Sequence, residues 1–282
     1  FVNRIHDLFD YIDAYTRKLH CHCYLMLIAV TRIHCQAASS LVDVSRVIDF
    51  ARSCPWADKV LICLGVGDNL EHEDYCRELS NALRNERPHE NVTVQAICPW
   101  GGFTTALNIA LNIALNDGMD HILFQSLEVR ASTADIKALL RHMDSNTLVA
   151  GAALDGHEFI LGEQPLRGRT CPWNTLAVWA LRKLGLVGFP LIGDGISSEV
   201  AGGVEEVTAV AIARLLNPSW TAKLIRLNGS HSLSWTTTFS DEERRVYHEN
   251  KMASKDTRSS AQLKELGSVS AGMVVHVDED VN

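Results

Sequence analysis

No stretch of the 282-residue chain approaches the apolar length of roughly 20 residues that spans a bilayer. The longest apolar run, Tyr24 to Val30, suits one buried strand, so no transmembrane segment is expected. Positive charge is in short supply: 26 Lys and Arg face 34 Asp and Glu, a net charge of -8. That balance argues against nucleic acid as a partner, because phosphate backbones are held by a surplus of Lys and Arg. It leaves room for a small phosphorylated ligand, whose charge a few amides, one or two cations or a metal can neutralise locally. No second Cys-x-x-Cys arm accompanies Cys21-His22-Cys23 or His34-Cys35, which leaves zinc spacing incomplete. The eight cysteines, several inside apolar runs such as Leu61-Ile62-Cys63-Leu64, read instead as reduced core thiols. Internal repeats and low-complexity tracts are missing, and Gly65-Val66-Gly67 lacks the third glycine of a dinucleotide fingerprint. The first residue is Phe rather than Met, which leaves room for a leader, anchor or further domain removed upstream. The compartment stays open, a cytoplasmic face or an organelle lumen being expected if an upstream leader or anchor was removed, and the sequons at Asn91 and Asn228 carry meaning only in a secreted chain.

What is present is an ordinary globular composition, 46% hydrophobic and 21% charged, enough to bury one large core. Ile5, Leu8, Phe9, Ile12 and Tyr15 recur at helical spacing, predicting an amphipathic helix within residues 1–20 that offers a surface for a protein partner. Strands are expected at 24–30, 60–64, 92–97 and 121–125, separated by helices at 40–53, 72–85 and 103–116. Such alternation with short connections predicts a mostly parallel sheet sandwiched by helices. Ligands on these sheets bind beyond the carboxyl ends of the strands, here just after Val30, Leu64, Ile97 and Gln125. Further on, helices are expected at 134–143, 174–184 and 205–216, with strands at 148–153 and 223–227. The hydrophilic stretch 236–282 reads as an exposed helical tail with a frayed acidic end, Asp278-Glu279-Asp280.

The segment Gly102-Phe103-Thr104-Thr105-Ala106-Leu107-Asn108, then Ala114, then Gly118 to Phe124, resembles the centre of family-2 glycosyltransferases of the GT-A fold. In that family a Gly-x-x-x-Ala-x-Asn helix start precedes the strand that carries an Asp-x-Asp metal motif. Cys171 to Pro190, ending in a Gly-Phe turn, is similar to the stretch that closes over the acceptor. Gly202-Gly203-Val204-Glu205-Glu206 is similar to the acidic motif that opens the acceptor-site helix. The resemblance implies an α/β, GT-A-like single domain over 21–235, with a nucleotide-binding half at 21–130 and an acceptor half at 131–235.

The resemblance also implies a chemistry: sugar transfer from a UDP- or GDP-sugar to a carbohydrate, lipid or protein acceptor, assisted by Mg²⁺ or Mn²⁺. The two metal-motif aspartates align with Ser126 and Glu128, so Glu128 becomes the metal ligand, with His231 after the last strand completing the set. Glu206, with Glu205 beside it, stands where the catalytic base is found. Thr31, Arg32 and Asp68 fall where the donor nucleotide is contacted, together with Gly102, Asn108 and Ser126. Trp173 and Asp194 fall on the acceptor side, and Trp235 is a second aromatic able to stack on a sugar. Ser126 in place of a carboxylate keeps a second expectation open, a catalytically inactive GT-A-fold protein acting as a binding or structural subunit. A nucleotidylyltransferase is disfavoured because the Gly-rich phosphate loop with its trailing Lys after the first strand is missing.

Overall fold

The structure is a computed structural model that describes residues 25–35, 41–67, 70–86, 91–195, 200–227, 233 and 242–280. The helix expected within residues 1–20, and with it Asp68, His231 and Trp235, lies outside the described residues. The first half alternates as expected: β1 (Leu27–His34), α1 (Val44–Arg52), β2 (Lys59–Gly65), α2 (Leu70–Glu86), β3 (Val92–Ile97), α3 (Phe103–Asn116) and β4 (His121–Gln125). After it come α4 (Thr133–Arg141), β5 (Thr147–Ala152), β6 (Gly162–Pro165), β7 (Leu176–Ala180) and the single turn α5 (Leu181–Leu184). The chain continues through α6 (Glu205–Leu216), β8 (Thr221–Arg226), α7 (Glu242–Ala253), α8 (Lys255–Glu265) and β9 (Met273–Asp278).

Among the described residues the strands form one sheet in the order β3-β2-β1-β4-β7-β5-β8-β9-β6. The pairs β2/β3, β1/β2, β1/β4, β5/β8 and β8/β9 are parallel. Strand β7 runs antiparallel between β4 and β5, and β6 runs antiparallel at the edge. Side chains alternate across β1: Ile28 and Val30 join the core under α3 and α6, whereas Ala29 and Ile33 join the core under α1 and α2. Arg32 therefore shares the face of Val30, and Thr31 points the other way. On the α3/α6 face the rings of Phe124, Trp179 and Phe189 meet edge to face, with centroids 5.3 and 5.7 Å apart. Each such fully buried side chain contributes about 1.5–3 kcal/mol of burial energy.

Three segments depart from expectation. Strand β1 extends to His34, because Arg32 and His34 still pair with Cys63 and Gly65, so Thr31 and Arg32 belong to the strand rather than to the loop after it. The helix expected at 174–184 is instead strand β7 followed by one helical turn. Its Leu-Ala-Val-Trp run is buried on both faces, and a short apolar run of that kind carries no period that separates strand from helix. Residues 273–278, expected within the exposed hydrophilic tail that ends in Asp278-Glu279-Asp280, form β9 between β8 and β6, with Val274 and His276 buried. The helical part of the same stretch packs inward too: Gln262 and Ser259 are buried, and the Gln262 amide donates to the carbonyls of Ala201 and Gly203, both at 2.9 Å. Both N–H donors of the Gln262 amide thus find an acceptor, which helps make its burial tolerable.

Candidate active site

Where β1, β4 and α6 converge at the carboxyl edge of the parallel strands, a cleft of about 270 Å³ opens. Arg32 enters it from β1, Ser126 and Glu128 from the turn after β4, Glu205 and Glu206 from the start of α6, and Lys251 and Lys255 from the C-terminal helices. Its position matches the general rule for open α/β sheets.

Local backbone chemistry explains why these groups meet. Gly102 caps α3 at φ 116°, a conformation that L side chains rarely adopt, and the Asp194 carboxylate sits where its Cβ would be. That carboxylate accepts from the Thr104 backbone N–H at 3.0 Å and from the Thr104 hydroxyl, so it serves as the missing N-terminal cap of α3. The loop that carries Asp194 returns through Gly203, whose N–H donates to the Gly193 carbonyl at 2.7 Å. Val204 then takes a left-handed φ of 61°, unusual for a β-branched residue, and aims the first turn of α6 into the cleft. Arg258 holds this bend through the Gly202 carbonyl.

The acidic pair occupies two different environments. Glu205 lies 3.3 Å from the Arg32 guanidinium. Glu206 accepts the Asn174 backbone N–H at 2.6 Å, and Asn174 is itself fixed by the Trp179 indole N–H, which donates to its side-chain oxygen at 2.9 Å. Both carboxyls are buried, at 8% and 5% exposure. Burial pushes Glu205 upward, but Arg32, its own backbone N–H and the two lysines outweigh it and hold the group below its usual range. Burial and the neighbouring Glu205 charge raise Glu206 to about 7, against the opposing pull of Lys255 and the Asn174 N–H. Two adjacent carboxyls whose environments drive them apart are the arrangement that separates a permanent anion from a proton carrier.

The other residues singled out in the sequence fall as follows. Ser126 and Glu128 line the cleft, half-buried. Thr31 is fully buried on the opposite face of β1 and does not reach the cleft. Asn108 exchanges two hydrogen bonds with the Phe189 backbone, at 2.8 and 2.9 Å, so its amide braces the Gly188-Phe189 turn. Trp173 borders the cleft but is only 1% exposed, sandwiched between His157 (ring centroids 3.6 Å apart) and the Lys255 ammonium (3.8 Å from the ring centre). Its faces are therefore taken in this arrangement, and Asp194 is likewise committed to its helix cap. Sequence reasoning missed Asn174, Lys251, Lys255 and Arg258. The last three are spaced by four and three residues, a helical-face spacing within the stretch expected to be an exposed helical tail.

A divalent cation is implied by the resemblance, and the donor set tests it. The described residues contain no group of three His, Cys, Asp or Glu side chains able to hold a metal together. Glu128 supplies one carboxylate and Ser126 one hydroxyl, both hard oxygen donors facing the same cleft. That set fits a Mg²⁺- or Mn²⁺-type ion carried in with a diphosphate, whose oxygens and waters fill most of the coordination sphere, because such ions are commonly bound through one or two protein carboxylates.

The fold is a GT-A-like one: a mostly parallel sheet covered by helices on both faces, with no described helix long and apolar enough to cross a membrane. It is similar to a mannosyltransferase from Pyrobaculum calidifontis solved with GDP-mannose and Mn²⁺, at a TM-score of 0.55 and 12% identity over 86% of this chain and 65% of that one. Weaker likenesses are a glucosyl-3-phosphoglycerate synthase from Mycobacterium tuberculosis (TM-score 0.49, 11% identity, 86% of this chain and 80% of that one) and a 4-diphosphocytidyl-2C-methyl-D-erythritol synthase from Anaerococcus prevotii (0.46, 8%, 81% and 99%). The chain spans about 65% of the length of the mannosyltransferase, and at these identities the likeness speaks for the fold alone. Neither a protein-family model nor a curated protein sequence matches the chain.

Proposed function

We propose that the cleft takes a UDP- or GDP-sugar and transfers the sugar to a hydroxyl of a carbohydrate, lipid or protein acceptor. The observation that carries this reading is the split acidic pair: a charged Glu205 locked to Arg32, and a Glu206 whose proton comes and goes near neutral pH. Glu206 takes the acceptor hydroxyl proton as the acceptor oxygen bonds to the anomeric carbon and the bond from that carbon to the diphosphate breaks. A base works best when its pKa lies near the working pH, and such assistance is worth about 10²–10⁴ in rate. Asn174 holds the Glu206 carboxyl in one orientation, and Arg32 keeps Glu205 from competing for the proton. Glu128 and Ser126 would hold a dication, and the chemistry such an ion would supply is charge stabilisation of the departing diphosphate.

A second reading is favoured by one residue. Ser126 stands where the resemblance places a carboxylate, which suits a GT-A-fold subunit that keeps a nucleotide without turning it over. Incubating the chain with UDP- and GDP-sugars and measuring released nucleotide separates the two. Release that falls at least 100-fold in Glu206→Gln supports the transferase, in line with the worth of a general base. Nucleotide binding with no release, under all donors and acceptors tried, supports the binding subunit.

A further inference from the structure

We propose that Lys251 and Lys255, at the junction of the C-terminal helices, form a diphosphate cradle that works without a metal ion. The proposal rests on the nucleotide-sugar reading of the cleft and adds to it which groups hold the phosphates. Four cationic side chains line the cleft: Arg32, Lys251, Lys255 and Arg258. Two are committed, Arg32 to Glu205 and Arg258 to the carbonyls of Gly202 and Lys251. Among the described residues neither lysine makes an ion pair with a carboxylate; their ammonium groups instead rest over aromatic rings, Lys255 at 3.8 Å from the Trp173 ring centre and Lys251 at 5.7 Å from that of Phe103.

Cation–π contact orients an ammonium while leaving its N–H donors available, so both charges stay usable by an anion. Lys255 is held in place from behind: its backbone packs so tightly on Gly168 that a Cβ there would collide with it, and the Gly168 carbonyl accepts the Trp173 indole N–H at 2.7 Å. Burial pulls the Lys255 ammonium below its usual range, with Glu206 and Glu205 opposing, so an arriving phosphate meets a poorly hydrated cation. Charge in such a partly enclosed site is screened far less than on an open surface. The α6 amino terminus opens on the same cleft and adds its dipole to the attraction. Two lysines fixed by the C-terminal segment thus supply cationic charge to a cleft that Glu128, Glu205 and Glu206 also line.

The test is calorimetric titration of the full chain with inorganic pyrophosphate in excess EDTA, for the wild type and for Lys251→Gln and Lys255→Met. Metal-free binding that weakens about tenfold or more in either variant, a loss of about 1.4 kcal/mol, is the expected result. Because Lys255 is packed, circular dichroism checks its variant, and the exposed Lys251→Gln decides the matter if Lys255→Met fails to fold. No binding in EDTA, or unchanged affinity in Lys251→Gln, overturns the cradle. Pyrophosphate carries neither base nor sugar, so this result is separate from the transferase test. A chain that binds pyrophosphate through the lysines but releases no nucleotide retains the cradle and loses the transferase reading. One that turns over donor yet binds no pyrophosphate without metal does the reverse.

Discussion

Replacing Glu206 with Gln is expected to stabilise the fold, and only above a definable pH. The carboxyl has a folded pKa of about 7, raised from 4.5 by burial and by the Glu205 charge. Below pH 4.5 both the folded and unfolded chains hold the proton, and the group makes no difference. Between 4.5 and 7 the unfolded chain gives up the proton while the folded chain keeps it, so stability falls as pH rises. A shift of this size, at about 1.4 kcal/mol per pH unit, amounts to a loss of up to about 3 kcal/mol that is complete by pH 8. Glutamine has the shape of the protonated carboxyl and cannot ionise, so the variant escapes the loss. Urea unfolding of both chains at half-unit steps from pH 4.5 to 8 should show the stability difference growing in favour of Glu206→Gln, by 1 kcal/mol at least and at most about 3 kcal/mol. A difference that stays flat with pH would refute the claim that this carboxyl is buried beside a charged partner.

Other substitutions probe the same region. Arg32→Met leaves the buried Glu205 charge without its partner and should cost about 3–5 kcal/mol in denaturant unfolding; most of that should return in the Arg32→Met/Glu205→Gln double variant. Asp194→Ala removes the cap on α3 and should cost about 1–2 kcal/mol by the same measurement, with little change in far-UV dichroism. Gly102→Ala forces a Cβ into the Asp194 carboxylate at a positive φ, so its loss should exceed about 1 kcal/mol and shrink when Asp194 is also replaced by Ala. Glu128→Ala should abolish the metal-dependent part of nucleotide binding and leave the melting temperature within a few degrees of the wild type, checked by calorimetry and thermal denaturation.

The alternation from β1 to β4 was readable because β1, β2 and β4 are apolar runs buried on both faces, the half-exposed β3 is rich in β-branched residues, and each helix carries a stripe, so period and length agree. Strand β7 defeated the same reasoning: inserted antiparallel between two strands, its Leu-Ala-Val-Trp-Ala run has neither alternation nor turn signals. The C-terminal stretch was misjudged for a different reason. Its buried Arg258, Gln262 and His276 look like surface residues by type, and only their tertiary partners, the carbonyls of 170 and 201–203, reveal an inward face. Within the site, the acidic pair at the start of α6 could be picked out from spelling alone. Its division into a paired Glu205 and a protonatable Glu206 could not, because Arg32 and Asn174 lie 173 and 32 residues away in sequence. Asn108, Trp173 and Asp194 stood out as motif residues, yet each spends its polar atoms or ring faces on neighbouring structure.

The most direct test of the cleft as a nucleoside-diphosphate site is calorimetric titration of the purified chain with UDP and GDP, with and without Mn²⁺. Micromolar binding of one of them, tightened by the metal, with the tightening lost in Glu128→Ala, is the expected result. No heat of binding for either nucleotide, with or without Mn²⁺, would contradict it.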